Sequence, residues 1–372
     1  MDPVTTVNEA ERSARRGRAQ EAAQAAGIDL LVISPSADLT YLTGYAHKPS
    51  DRPTLLLLPA DGTPFMVAPK LEAMKVEAKT GGRLPVIAWD ETENPFAVAR
   101  AHIKGPVGRL AVAEQMWAGD LLRLQEQFSK AAVVSAGPLV TSLRIRKSAA
   151  ELEQIRAAGR LADTVYELIL AERFVGRSEA ELADRVNALT RGAGGAAPGC
   201  ILAAGPNSAS PHHSPGDRVI AAGDAVWVDY GGRVGGYPSD VTRTVFAGGG
   251  APAEFRRVYD VVRRAQEAAV AAVRPGLSCE HIDQVARQII VDAGYGGGIL
   301  HRTGHGLGLE GHEHPYIVEG NATPLEPGMV FSVEPGIYLA GRFGVRIEDI
   351  VAVTEDGVEV FNHSSHDLFE VK

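Results

Sequence analysis

Five side chains of metal-binding type follow one another in the second half of this 372-residue sequence: Asp229, Asp240, His305, Glu334 and Glu348. Each sits in an apolar strand-like run or a glycine-rich turn. Any fold must deal with those charges, because carboxylates are almost never fully buried without a partner. Taken singly, Asp229 in WVDYGG (227–232) and Asp240 in YPSDVTRT (237–244) fit the commoner role of aspartate as a turn residue bonded to its own backbone. Yet AVWVDY (225–230) reads as a buried strand, and SDVTRTVF (239–246) alternates in strand fashion. A glycine-rich connection between them predicts a hairpin with both aspartates on facing positions. Glu334 ends the apolar run MVFSVE (329–334) just before Pro335 and Gly336. In GVRIEDIVAV (344–353), alternation sends Val345, Ile347 and Ile350 to the core and leaves Glu348 for a site.

Four carboxylates in one site would raise each other's pKa and could not all stay ionised. Two divalent cations remove the conflict, and oxygen ligands with a single imidazole suit Mn, Co or Zn better than a thiolate-seeking metal. Such a pair, about 3.5–4 Å apart, shares a water, lowers its pKa and polarises a carbonyl. Hydrolysis is the reaction class that follows. His305 lies in HRTGHGLGLEGHEHP (301–315), where four of the chain's eleven histidines fall among glycines. Gly304, Gly306, Gly308 and Gly311 predict positive φ or close backbone approach.

The segments VDYGG, SDVTRT, HRTGHGLGLEGHE, SVEPGIY and GVRIEDIVAVTEDG, in this order, resemble the pita-bread metallopeptidases, in particular the branch of prolidase and aminopeptidase P. The resemblance spans nearly all of the second half. The first half matches as a creatinase/prolidase-type N-terminal domain. It implies two divalent ions per chain, Mn first, with Co or Zn as alternatives. Asp229 would chelate one ion, His305 and Glu334 the other, and Asp240 and Glu348 would bridge them. It further implies that His212 lines the substrate site, that His312 contacts the scissile carbonyl, that His301 is a further pocket histidine, and that Arg346 braces the carboxylates. His213 is expected to be a solvated loop residue. The implied activity is cleavage of the bond before proline in Xaa-Pro dipeptides, with Glu334 also moving the proton. The alternative is an Xaa-Pro aminopeptidase acting on longer peptides, and a more distant one is a creatinase-like or lyase reaction on a non-peptide substrate. A binding protein that kept the fold without catalysis is disfavoured by retention of all five ligands. One departure is that dipeptide-cleaving relatives often carry an arginine four positions beyond the site histidine, where this chain has Tyr316, which cannot make a bidentate charged pair.

Composition narrows the class. Hydrophobic content of 45% and charged content of 22% are those of a globular protein. A formal charge of −9 and a pI near 5.7 argue against a nucleic-acid or anionic-membrane partner, which would favour a basic face. Two cysteines, Cys200 and Cys279, cannot build a disulfide framework, and the polar N-terminus has no apolar signal-peptide core, so a cytoplasmic enzyme is expected. The run LLLL (55–58) is a strand, far short of the ~20 apolar residues of a membrane span.

Residues 1–143 alternate helical and strand patterns and predict an α/β domain without catalytic residues, whose expected role is to build a homodimer. Expected elements are a helix over 8–26, strands at 29–33 and 54–58, a helix over 70–79, and strands at 85–88, 109–113 and 131–134. Gly44 is expected to cap a helix. Ser148 with Glu151 three residues later is a capping box that opens the second domain, 144–372. Helices over 149–171 and 178–191, a strand at 200–204, and helices over 255–273 and 278–293 predict a pseudo-symmetric α/β (α+β) fold with the metals between the halves of a curved sheet. No internal repeat is evident by eye.

Overall fold

Short apolar runs make the first sheet because the residues are β-branched or aliphatic and end at turn formers. The computed structural model describes residues 7–372, so the first six residues of the polar N-terminus lie outside the described residues. It divides into two units, one ending at Arg144 and one beginning at Ile145.

In the first unit, β1 (Leu30–Ile33), β2 (Leu55–Pro59), β3 (Phe65–Pro69), β4 (Val86–Trp89), β5 (Arg109–Val112) and β6 (Ala132–Ser135) form one six-stranded sheet in the order β4-β3-β2-β1-β5-β6. The meander β1-β2-β3 is antiparallel, while β3-β4, β1-β5 and β5-β6 are parallel. Helices α1 (Glu9–Ala25), α2 (Ala37–Thr43), α3 (Lys70–Lys79), α4 (Pro95–Ala101), α5 (Ala118–Gln127) and α6 (Gly137–Arg144) complete it. Leu30, Val32, Leu57, Val67, Phe96, Leu110 and Leu124 form its core. Each such side chain contributes roughly 1.5–3 kcal/mol when fully buried. Gly44 ends α2 in the left-handed region at φ 75°, as its place after an apolar turn predicts.

The second unit opens with the expected capping box: Ser148 caps α7 (Ala149–Leu170) and Glu151 returns a bond to the Ser148 backbone. After α8 (Glu179–Gly192) come β7 (Ala196–Ala204), β8 (Ala225–Val234), β9 (Tyr237–Pro238) and β10 (Val241–Ala247). Helices α9 (Ala253–Ala272) and α10 (Cys279–Asp292) precede β11 (Gly304–Gly306), β12 (Glu313–Ile317), β13 (Val330–Val333), β14 (Gly336–Leu339), β15 (Phe343–Arg346), β16 (Asp349–Val353), β17 (Val358–Val360) and β18 (Glu370–Val371). The single curved sheet expected from sequence is instead two five-stranded sheets, β18-β10-β8-β7 with β9 beside β8, and β12-β11-β13-β16-β17. A separate β14-β15 ribbon accompanies them.

Each helix pair covers one sheet. Val165, Leu182, Val226 and Val245 share one core, and Val258, Ile282, Phe331 and Val351 another. The two halves also repeat in detail. Ser178 and Ser278 cap the second helix of each pair, and each makes an isolated bridge, to Val219 and Pro324 respectively. Gly176 and Gly276, and Gly194 and Gly294, take positive φ at matching turns. The serine and glycine pairs recur at one fixed offset, a signal present in the sequence and too sparse to notice without the structure.

Candidate metal centre

The two sheets supply the five candidate ligands from complementary sides. Asp229 lies within β8, and its ladder partner on β10 is Thr242. Asp240 precedes β10, so the two aspartates are offset along the hairpin instead of facing one another as the sequence suggested. From the second sheet come His305 in the middle of β11, Glu334 one residue past the end of β13, and Glu348 between β15 and β16. Val345, Ile347 and Ile350 are buried as alternation requires, and Glu348 is only 2% exposed.

Three of the glycines around His305, Gly304, Gly306 and Gly308, serve close approach, while the space beside Gly311 is open. None of Gly304, Gly306, Gly308 or Gly311 has positive φ. A Cβ on Gly304 would lie 1.8 Å from the Ser332 carbonyl oxygen, and one on Gly306 would lie 2.3 Å from that of His314. Backbones therefore pack where side chains would otherwise separate the ladder, and a register shift after His305 marks the place.

The candidate ligands form two overlapping groups whose ligand atoms lie within 4.8 Å of one another: Asp229, Asp240 and Glu348, and His305, Glu334 and Glu348. Glu348 belongs to both. A third group joins Asp240, His305 and His312, the imidazole of His312 lying 3.7 Å from that of His305, centroid to centroid.

The donor set fits cations. The Nδ1 of His305 lies 3.1 Å from the Gly306 carbonyl oxygen, so it carries the proton and donates. Its Nε2 lone pair then faces Glu334 Oε1 at 3.4 Å and Asp240 Oδ2 at 3.8 Å. Burial pushes the His305 pKa down to about 3, so protonation of the ring does not relieve this meeting of acceptors. Burial, reinforced by the neighbouring carboxylates, pushes Asp240 and Glu348 well above the usual carboxylate range, and burial raises Glu334 to about 7. A divalent ion in each group would satisfy the lone pairs and offset the charge.

Surrounding donors hold the carboxylates. Thr242 Oγ1 donates to Glu348 Oε2 at 2.7 Å and accepts from Arg346 Nε at 3.1 Å. Ser332 Oγ donates to Glu334 Oε1 at 3.3 Å and accepts from the His305 backbone N–H at 3.0 Å. Arg346 Nη2 donates to Asp229 Oδ2 at 2.8 Å, its guanidinium 4.4 Å from the centre of the Trp227 ring, and Nη1 donates to the Tyr338 hydroxyl at 2.9 Å. His301 Nδ1 lies 2.7 Å from the Arg302 carbonyl oxygen and must donate to it, so its Nε2 accepts from the Tyr338 hydroxyl at 2.8 Å. The result is a directed chain from Arg346 through Tyr338 to His301. Burial holds the His301 pKa at about 4 and raises the Tyr338 hydroxyl to about 12.

His212, His301 and His312 all line the cavity above the carboxylates, together with Arg346. His213 does not behave as a solvated loop residue. Its Nε2 lies 2.7 Å from Oε2 of the fully buried Glu179, which also accepts from Ala204, Asn207 and Gly216. A buried carboxylate needs those partners, and the histidine pins its loop to α8. Tyr338, Thr242, Ser332 and Arg302 do not stand out in the sequence, because a hydroxyl in a strand or an arginine in a polar segment looks ordinary until its neighbours are known.

Two halves of a repeated α/β unit holding a carboxylate-rich, histidine-containing cluster define a class of two-domain metal-dependent hydrolases. Known proteins of that class match along the whole chain. Residues 153–355 match metallopeptidase family M24, and residues 15–146 match the creatinase/prolidase N-terminal domain. The chain belongs to metallopeptidase family M24, with an N-terminal creatinase-type domain ahead of a pita-bread catalytic domain. It is 41% identical over 368 residues to the Mycobacterium bovis protein named "Probable dipeptidase PepE", covering 98% of each chain. It is 34% identical to the Xaa-Pro dipeptidase of Lactobacillus delbrueckii subsp. lactis, covering 92% of this chain and 95% of the relative. The solved structure of dipeptidase PepE from Mycobacterium ulcerans superposes with a TM-score of 0.93 at 39% identity, over 98% of this chain and 99% of that one. The chain is a metallopeptidase, and among its described residues no helix is long and apolar enough to cross a membrane.

Proposed function

We propose that this metallopeptidase is an Xaa-Pro dipeptidase that works with two divalent ions, Mn in preference to Co or Zn. The observation that carries the reading is the pair of ligand groups sharing Glu348. Asp229, Asp240 and Glu348 would hold one ion, and His305, Glu334 and Glu348 the other, with Asp240 close enough to His305 to bridge. Bound there, the ions would supply Lewis-acid polarisation of the scissile carbonyl and a water of lowered pKa. Arg346 fixes Asp229 and, through Thr242, the carboxylate of Glu348. His312, beside His305 and not needed as a ligand, donates to the carbonyl oxygen as negative charge develops on it. Glu334 takes the proton from the attacking water and passes it to the departing proline nitrogen. His212 and His301 shape the cavity for the substrate.

Dipeptidase and Xaa-Pro dipeptidase are the activities in the names of relatives that span almost the whole chain. An Xaa-Pro aminopeptidase acting on longer peptides is the second reading, since Tyr316 replaces the arginine seen in many dipeptide-cleaving relatives. A panel of Xaa-Pro dipeptides, longer Xaa-Pro peptides and creatine, assayed with the Mn-loaded enzyme, separates these. Fastest cleavage of dipeptides supports the proposal, and cleavage of longer peptides alone overturns it.

The homodimer is part of the same reading. The first unit has no catalytic cluster among its described residues, and Leu71, Met74 and Leu122 are exposed on α3 and α5. A two-fold dimer is the commonest symmetric assembly. A cytoplasmic location accords with Cys200 and Cys279 both being free.

A further inference from the structure

The cavity above the carboxylates has a volume of about 430 Å³, within the range of small-molecule sites. Two of its lining side chains are permanent cations, Arg346 and Arg302. Arg346 is committed, its nitrogens donating to Thr242, Pro211, Tyr338 and Asp229. Arg302 is not. Among the described residues its guanidinium has no hydrogen-bond or ion-pair partner. What it touches is the ring of Tyr316, whose centre lies 4.1 Å from the guanidinium carbon.

Local structure explains the placement. Tyr316 is the direct ladder partner of His305, so both side chains leave the sheet on the same face. Arg302, and not Tyr316, lines the cavity. The aromatic ring therefore serves as a platform beneath a guanidinium that presents its donors to the cavity, an arrangement suited to arginine's planar fork. The Arg302 carbonyl, held by His301 Nδ1, fixes the backbone from which the side chain projects.

Charge in the cavity then identifies the ligand. Asp229, Asp240, Glu334 and Glu348 would offset the four positive charges of two divalent ions, so both arginines are surplus positive charge, and Arg346 is held by its bond to Asp229. Arg302 is left as an unpaired positive charge on the wall of the same cavity. A dipeptide brings two charges of its own, an ammonium suited to the carboxylates and a carboxylate with no other free cation in the lining. We infer that Arg302 takes the free C-terminal carboxylate of the substrate, with Tyr316 holding the guanidinium flat for a bidentate pair. This inference rests on the dipeptidase reading and names the group that would enforce it. A longer peptide or a C-terminal amide places a neutral group at that point and forgoes the paired charge-assisted bonds.

The test compares Arg302→Gln and Arg302→Lys with the wild type, all full-length and Mn-loaded. Substrates are one Xaa-Pro dipeptide, one dipeptide without proline, and the C-terminal amide of each. The readout is the ratio of kcat/KM for acid over amide, checked against metal content and melting temperature. Wild type should favour the acid. In Arg302→Gln the ratio should fall by about 10- to 100-fold, chiefly through KM, as expected for loss of hydrogen bonds to a charged group. Arg302→Lys, which restores a point charge without the fork, should recover part of it. An unchanged ratio in Arg302→Gln, or a wild type that prefers the amide, overturns the inference. If the dipeptide without proline is cleaved faster, the proline preference fails, while the acid-to-amide ratio still decides the role of Arg302.

Discussion

Thr242→Val probes the link between the buried hydrogen-bond network and the metal centre. The change is nearly isosteric and the residue is fully buried, so packing is conserved while one hydroxyl is lost. That hydroxyl donates to Glu348 Oε2 at 2.7 Å and accepts from Arg346 Nε at 3.1 Å. Both bonds involve charged groups, and each such bond is worth roughly 1.5–3 kcal/mol. The loss falls on the carboxylate common to both ligand groups, and removal of a hydrogen-bond partner of a metal ligand typically lowers affinity about 10- to 100-fold. On the scale of about 1.4 kcal/mol per factor of ten, that equals roughly 1.4–2.8 kcal/mol, the size of one of the two bonds. Thr244→Val is the control. Thr244 is equally buried, but its hydroxyl bonds only the Arg346 backbone, donating to O at 2.8 Å and accepting from N at 3.1 Å. Mn affinity measured by competition with a chelating dye should fall about 10- to 100-fold for Thr242→Val and much less for Thr244→Val. Unchanged affinity in Thr242→Val, or an equal drop in both variants, would refute the reasoning.

Other consequences can be checked in parallel. His312→Ala should lose about 100- to 1,000-fold in turnover while keeping its metal, whereas loss of metal would make His312 a ligand. Tyr338→Phe breaks the chain from Arg346 to His301 and leaves buried donors and acceptors unmatched, which should cost about 1–3 kcal/mol in a denaturant titration; no change in stability would mean the chain is ornamental. For the metal-free protein, Glu334 moves from an ordinary 4.5 to about 7 on folding. The folded state then binds more protons than the unfolded state between those values, so apo stability should fall as pH rises from about 4.5 to 7. Loading with Mn should remove that slope, and a slope of the opposite sign in the apo protein would contradict the burial of these carboxylates.

What the sequence reveals follows from how unusual each feature is. A carboxylate at the end of an apolar run is anomalous in any soluble chain, so Glu334 and Glu348 stand out before their neighbours are known. The long helices of the second unit are legible because Ser148 and Glu151 mark a start and the apolar period persists for many turns. Shorter elements are lost. Helix α2 spans only Ala37–Thr43, and α5 follows Trp117, which makes no side-chain capping bond, so periodicity has little length in which to show. Helix α4 is readable in principle, since Asn94 caps it and Pro95 opens it. The hairpin register fails because alternation reports which face a residue takes, and leaves open which residue lies opposite. His213 fails for a related reason: its partner Glu179 is far away in sequence, and only tertiary structure brings a buried carboxylate to that loop.

The central claim is that Glu348 joins two metal sites. Protein loaded with Mn, desalted and analysed by elemental mass spectrometry measures it directly, alongside Glu348→Ala. The wild type should retain about two ions per chain, with activity lost on chelation and restored by Mn, and Glu348→Ala should lose both ions together. A wild-type content near zero with activity untouched by chelator, or a Glu348→Ala variant that still holds two ions, would contradict it.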